Sequence, residues 1–285
     1  WTPEKIAAVT LLSVLTPFIL GGNLLVIIAV AKCRRLKSTT NYFLVCLAIA
    51  DISTGLFAPL YIAEEMLRDG ITSSVLCLGP HCLLMTVCGV SVMSLAAIAY
   101  DRYTALTRPL DYINVMTFKK MLAFSVFAWV YSALIAWLPM MRLHDNPPMC
   151  SFHLIRREPL IVLLSCLFLP AYLIIFFCYS RIFCIARDHV DAIAAVQSSL
   201  QRQIELNFVA KDTKYAKTLA IVMGFFVLLW LPYQLCLLTE LVSDVVVDDW
   251  VRGFLALLSH CNSGINPWIY AFRNQDFKRA FIDII

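Results

Sequence analysis

Hydrophobic residues in this chain come in long stretches separated by short polar gaps. Seven stretches, at approximately 6–32, 40–66, 75–107, 118–141, 157–188, 208–240 and 250–271, are long enough to cross a bilayer. A helix needs roughly 20 apolar residues to span a hydrocarbon core about 30 Å thick. An eighth stretch, 274–285, is too short and too charged to cross. Its Phe277, Phe281 and Ile285 recur every four residues, with Lys278 and Arg279 on the other face. That spacing predicts an amphipathic helix lying on the inner leaflet. The third, fifth and sixth stretches outrun a bilayer. The segment from Ala186 to Lys217 is rich in helix formers, so the fifth and sixth helices are expected to project beyond the membrane. The predicted fold class is an all-α membrane protein: a seven-transmembrane helix bundle plus a C-terminal amphipathic helix, one domain over residues 1–285.

Composition agrees. Of 285 residues, 61% are hydrophobic and only 15% charged, with a mean hydropathy of +0.79. A soluble domain carries about a quarter charged residues, so the apolar excess here must face lipid. The net charge of +4 matters less than its placement. Basic runs at Lys32–Lys37, Arg102–Arg108, Lys119–Lys120, Arg202–Lys217 and Arg273–Arg279 alternate with acidic gaps holding Glu64, Glu65, Glu240, Asp244, Asp248 and Asp249. By the Lys/Arg bias of cytoplasmic loops the basic side is inside, which predicts a multi-pass cell-membrane protein with an extracellular N-terminus. Apolar spans split the basic runs, so no nucleic-acid partner is expected, and membrane lipids are. No cleavable leader is expected ahead of the first span.

Most of the eleven cysteines sit inside apolar stretches as small buried hydrophobes. Cys77 and Cys150 fall on the acidic, outer side, where a disulfide can form and persist, and they are expected to pair, with Cys82 a nearby competitor.

Polar groups inside a bilayer are costly and mark candidate sites. Asn23, Asp51, Ser91, Asn262, Ser263 and Asn266 lie near the middle or inner half of the first, second, third and seventh spans. A carboxylate among hydroxyls and amides suits a hard cation; the same groups can also bond one another as interhelical glue.

Asn23 in GGNLLV, Asp51 in LAIAD, Asp101-Arg102-Tyr103, Trp129, Trp230-Leu231-Pro232 and Asn266-Pro267-Trp268-Ile269-Tyr270 stand in this order, one signature to each of six spans. Over essentially the whole chain this resembles the rhodopsin-like G protein-coupled receptors. The resemblance implies that Asp51, Ser91, Asn262, Ser263 and Asn266 form a pocket for an allosteric sodium ion, with no other cofactor. It implies an activation switch in Asp101, Arg102, Tyr103, Tyr179, Asp212, Phe226, Trp230, Pro232 and Tyr270. Arg102 pairs with Asp101 or with Asp212 at the foot of the sixth helix, Phe226 and Trp230 face Val92 and Pro170, and Tyr179 and Tyr270 meet near Arg102 on activation. Arg102 and Leu110 are the expected contacts to a heterotrimeric G protein. Arrestin and receptor kinases are further expected partners. Pro170 precedes Tyr179 by nine positions where most of the family has eight, which puts the family's local bulge in the fifth helix in question.

The resemblance also bears on the ligand. Leu84 stands where an amine receptor needs a carboxylate, and the seventh span has no Lys for a retinal Schiff base. The run Leu258 to Ser263 and Phe152, two residues after Cys150, resemble adenosine receptors. Leu12, Gln234 and Leu237 depart from them, replacing a Glu, a His and an adenine-gripping Asn. The expected ligand-binding residues are Leu84, Met85, Cys88, Phe152, Trp230, Tyr233, Gln234, Leu237, Ser259 and His260, with Leu238 added to the apolar lining. A lipid or other lipophilic small molecule is the expected ligand, with a purine-like ligand or a constitutively active orphan as alternatives. The expected output is a stimulatory G protein and cyclic AMP. A transporter would show inverted repeats and discontinuous helices, which are not visible. No enzyme is expected: Ser259 and His260 are sequence neighbours and point about 100° apart on a helix.

Overall fold

The computed structural model describes residues 3–67, 70–138, 140, 150, 157–195, 200–243, 245 and 247–285; among these, side chains are described except at 3–5, 65, 157–158, 186–195, 200–220, 249 and 273. Every regular element among the described residues is helical. The long helices are α1 (Pro3–Lys32), α2 (Thr39–Leu67), α3 (Ser74–Thr107) and α4 (Phe118–Ala136), then α5, α6 (Leu200–Val242) and α7 (Asp249–Arg273), closed by the short α8 (Gln275–Ile284). The fifth, α5, is continuous through Arg157–Val162, a π-helical turn at Leu163–Phe168, and Leu169–Ala195.

Six of these helices are long and apolar enough to cross a membrane. The seventh crossing is α7, which has the length, 25 residues, but is diluted by Arg252, Ser259, His260, Asn262, Ser263 and Asn266, all of them buried inward. The fourth helix stops at Ala136, where Trp137 caps it, rather than running to 141. At 43 residues, α6 extends about 65 Å, roughly twice a hydrocarbon core. It runs on through Pro232 as one helix.

The centre of the bundle is α3, buried nearly all round. It packs on α2, α4, α5 and α6, while α1 closes onto α2 and α7, and α6 onto α7. Phe18, Leu56, Leu134, Phe176, Leu228 and Trp268 point outward and exposed on six different helices. Exposed apolar surface on that scale is what lipid covers. Cys77 and Cys150 are bonded, with Cα atoms 5.5 Å apart, and tie the start of α3 to the segment before α5; Cys82 is free and buried.

Where three helices meet, a missing side chain sets the spacing. A Cβ on Gly89 of α3 would lie 2.7 Å from Leu167 Cδ2 of α5 and 2.7 Å from Ser132 Oγ of α4. Gly89→Ala is therefore expected to push these helices apart and lower the melting temperature, at a cost of about 1–3 kcal/mol. Unchanged melting of that variant would show that the junction gives way easily.

Only part of α8 follows the expected arrangement. Asn274 caps its start, its side chain accepting from Asp276 N at 2.9 Å and Phe277 N at 3.4 Å. Lys278 and Arg279 face outward, but Phe277 and Phe281 are buried against the bundle. Phe277 lies 5.6 Å from the Tyr270 ring, and α8 packs on α1 and α7. The apolar face that periodicity assigns to the leaflet is thus mostly buried in protein, and Ile282 and Ile285 are left exposed.

Candidate functional site

Four layers of functional side chains line the interior from one end of the bundle to the other. At the end with the basic segments, Arg102 is buried and paired with Asp101. Its Nε donates to Asp101 Oδ2 at 3.0 Å, and its Nη2 to the same oxygen at 2.6 Å. Nη2 also donates to the hydroxyls of Thr40 and Tyr112, the latter at 3.0 Å. Tyr112 in turn donates to Asp101 Oδ1 at 2.8 Å, and Thr40 donates to Oδ2. Asp101 itself is fully buried. A buried carboxylate needs paired charge and hydrogen bonds to stay ionised, and this one has both.

Thr40 and Tyr112 were not among the expected site residues. Tyr112 sits just past Leu110 on the one-turn helix Tyr112–Val115, and Thr40 in the first turn of α2; each offers a hydroxyl at a span's inner edge, the one signal in the sequence. Burial and the Asp101 charge push the Tyr112 phenol up to about 12, so it stays a donor at physiological pH. The side chain of Asp212 lies outside the described residues, so its expected pairing with Arg102 is not described. Tyr103 packs edge-on against Phe177 at 5.8 Å, Tyr179 is half-buried, and Tyr270 is buried beside Phe277. Leu110 projects outward, 94% exposed, with Ile113 nearby at 79%.

Deeper in, Asp51 is completely buried. Asn266 Nδ2 donates to its Oδ2 at 2.8 Å, and Ser263 lies beside it. Asn23 Nδ2 donates to Ser263 O at 2.8 Å and to Ile19 O at 2.9 Å, joining α1 to α7. Ser91 donates to Val87 O at 3.0 Å, which keeps its oxygen's remaining lone pair available. Asp51 Oδ1 and Asn262 Oδ1 are buried acceptors without a hydrogen-bond partner. Two orphaned oxygens, one of them anionic, among hydroxyls and amides fit a small hard cation.

Above them lies an aromatic layer. Phe226 and Trp230, both buried, stack at 6.1 Å, in the same core cluster as Val92. Pro170, expected against them, is exposed. Phe168 and Tyr172 take that place, 6.4 Å from Trp230 and 6.2 Å from Phe226. The π-helical turn Leu163–Phe168 explains the exchange, because an extra residue in the turn rotates the helix about its axis. The local bulge that the nine-residue spacing put in question is present, just before Pro170.

The outermost layer holds Leu84, Met85, Cys88, Tyr233, Gln234, Leu237, Ser259 and His260, all buried. Leu238 is 44% exposed and outside the lining, and Phe152 lies outside the described residues. Tyr61 joins the layer between His81 at 5.4 Å and His260 at 5.8 Å. Glu64, expected as a surface acid, is buried with Oε1 3.7 Å from the Cys150 sulfur. Arg252 of α7 pairs with Glu240 of α6, and its Nη2 also donates to Val247 O at 3.1 Å. The backbone N–H of Val247 completes the knot, donating to Glu240 at 3.1 Å. The signal was opposite charges on either side of one short turn.

Residues 22–270 match the family model described as 7 transmembrane receptor (rhodopsin family). The chain is 32% identical over 311 residues to the 5-hydroxytryptamine receptor 4 of Homo sapiens, covering 99% of this chain and 80% of that protein. It is 32% identical over 301 residues to the adenosine receptor A2b of Rattus norvegicus, covering 95% and 87% respectively. With the octopamine receptor beta-1R of Drosophila melanogaster it shares 29% identity over 293 residues, 91% of this chain and 58% of that protein.

Proposed function

The chain belongs to the rhodopsin family of seven-transmembrane receptors, multi-pass cell-membrane proteins that are not enzymes, and from that premise we propose that it transmits a lipophilic ligand's signal to a stimulatory G protein. Membership brings a small-molecule ligand and a G protein as partners. The finer reading rests above all on the outer lining, where Leu84, Met85, Cys88 and Leu237 are buried side by side in one apolar cluster.

The relatives' names specify a biogenic amine in two cases and adenosine in the third. Leu84 has no charge to offer an ammonium, which argues against an amine held from the third helix. Leu237 offers no amide to a purine's polar edge, and unpaired polar groups on a bound purine each cost about 1–3 kcal/mol. The purine reading keeps one specific support, the run Leu258 to Ser263 with His260 next to Tyr61. The N-terminus is outside and the basic segments inside, by the charge bias. Arrestin and receptor kinases would act on the same inner face.

In the resting state Arg102 is held by Asp101, Thr40 and Tyr112. Activation would release it to pack against the G protein, with Tyr179 and Tyr270 closing behind. Tyr112→Phe removes one hydroxyl from this latch without changing its shape. Losing a hydrogen bond between charged groups costs about 1.5–3 kcal/mol, so basal nucleotide exchange is expected to rise several-fold. Unchanged basal exchange would mean that the tyrosine only fills space.

Asp51, Ser91, Asn262, Ser263 and Asn266 would hold a sodium ion, whose positive charge would stabilise the buried carboxylate in the inactive arrangement. Asp51→Asn keeps the shape and removes the charge. It is expected to abolish any sodium dependence of basal signalling or ligand affinity, and sodium sensitivity that persists would reduce the cluster to interhelical glue.

The test of the function is cyclic AMP accumulation in cells carrying the chain, first without ligand, then with lipid, purine and amine panels. A rise with a lipid supports the reading. A rise with adenosine or an amine alone, or a fall in cyclic AMP, overturns its ligand or its G protein.

A further inference from the structure

We propose that the Gln234 amide and the Tyr172 hydroxyl, facing each other between α6 and α5, form a polar slot that takes a hydrogen-bond acceptor carried by an uncharged, lipophilic ligand. The proposal rests on the lipophilic reading above and specifies the head group that such a ligand needs.

Gln234 is 91% buried, being 9% exposed, and its Nε2 has no hydrogen-bond partner. The Tyr172 hydroxyl is also buried without a partner. The two groups are neighbours, yet they do not close a hydrogen bond with each other. Buried amides and phenols in native proteins are nearly always bonded, so two left open side by side call for an explanation. Both can donate, and donors converging on one point suit a carbonyl or ether oxygen.

The surroundings define the rest of the ligand. The Tyr172 ring lies against Phe168 and Phe226 at 6.5 and 6.2 Å, and Phe168 stacks on Trp230 at 6.4 Å. Leu84, Met85, Cys88 and Leu237 belong to the same cluster. The side chains acting on the Tyr172 hydroxyl are Gln234 and Cys88, neither of them charged. An ionic head group would find no counter-charge there and would be costly to desolvate. An uncharged acceptor on an apolar body meets donors and hydrocarbon instead.

The slot also touches the layer that moves. Gln234 stands one turn above Trp230 on α6, and the π-helical turn Leu163–Phe168 aims Phe168 and Tyr172 at Trp230 and Phe226. Single π turns inside α-helices gather at functional sites. An acceptor held here draws α5 and α6 together directly over Phe226 and Trp230.

The experiment uses the purified full chain and three probes sharing one hydrocarbon chain: methyl oleate, cis-9-octadecene and sodium oleate. Methyl oleate is expected to bind about fivefold or more tightly than the octadecene, the increment of one net hydrogen bond. Its ester carbonyl stretch should move to lower wavenumber on binding. Gln234→Leu should bring the affinity ratio to about one and return the stretch to its unbound position. Tyr172→Phe, which keeps the ring, should lower the ratio in part. Equal affinity of ester and hydrocarbon for the unaltered chain overturns the slot and leaves the lipophilic reading standing. An ester preference that survives Gln234→Leu overturns the assignment to Gln234, and tighter binding of oleate overturns the uncharged head group. If no probe binds, the lipophilic reading itself fails, and the ligand class assigned here fails with it.

Discussion

Arg252→Met is expected to destabilise the purified receptor by about 3 kcal/mol or more, read as a lower melting temperature, because it removes one partner of a buried ion pair. The Arg252 and Glu240 side chains are only 6% and 12% exposed. With Arg252 gone, the Glu240 carboxylate keeps the Val247 N–H at 3.1 Å but loses its counter-charge. Val247 O loses its donor at the same time. Methionine fills a similar volume, so packing loss contributes little. The double change Arg252→Met with Glu240→Leu separates the causes. Replacing both members of a buried pair with apolar residues is often neutral or stabilising, so the double variant should recover most of the lost stability. If it melts as low as the single variant, charge is not the cause and the pair is only a packing contact.

Leu110→Ala should weaken coupling tenfold or more while leaving the receptor as stable as before. Leu110 is 94% exposed immediately after Pro109, where the restricted residue before proline turns the chain away from the helix. An apolar side chain held in solvent contributes nothing to this fold, so shortening it removes little, as at other exposed positions. Burying a leucine in a partner's pocket is worth about 1.5–3 kcal/mol, which corresponds to the stated loss. Ligand affinity measured without G protein and the melting temperature should both stay unchanged, while nucleotide exchange on added Gα falls. Lower melting with normal coupling in the residual folded protein would overturn the anchor role.

Much of the architecture is legible in one dimension. Apolar stretches of bilayer length predict the spans, and the Asp51 and Arg102 positions stand out because charge inside a membrane is costly wherever it sits. That cost marks a position without naming its partner. Asp101 and Arg102 are adjacent and their pairing is readable, whereas Thr40 is 61 residues from Asp101 and joins only because the ends of α2 and α3 come together. Pro170 and Phe168 show the same limit within one helix: a π turn between Leu163 and Phe168 changes which residues face Trp230.

What the sequence by itself determined is therefore the set of properties that depend on hydrophobic length and on local spacing. These are an all-helical membrane bundle, an amphipathic eighth helix, buried polar positions at its core, and a basic and an acidic side. The tertiary structure decided which groups meet. It paired Glu240 with Arg252, left Gln234 and Tyr172 facing each other without a bond, and turned Phe277 and Phe281 toward protein instead of lipid. The physical reason is that burial is one-bodied, set by each residue's own transfer free energy. Pairing depends on how far each helix is rotated and where it crosses its neighbours, and a difference of one residue in a turn moves a side chain by about 100°.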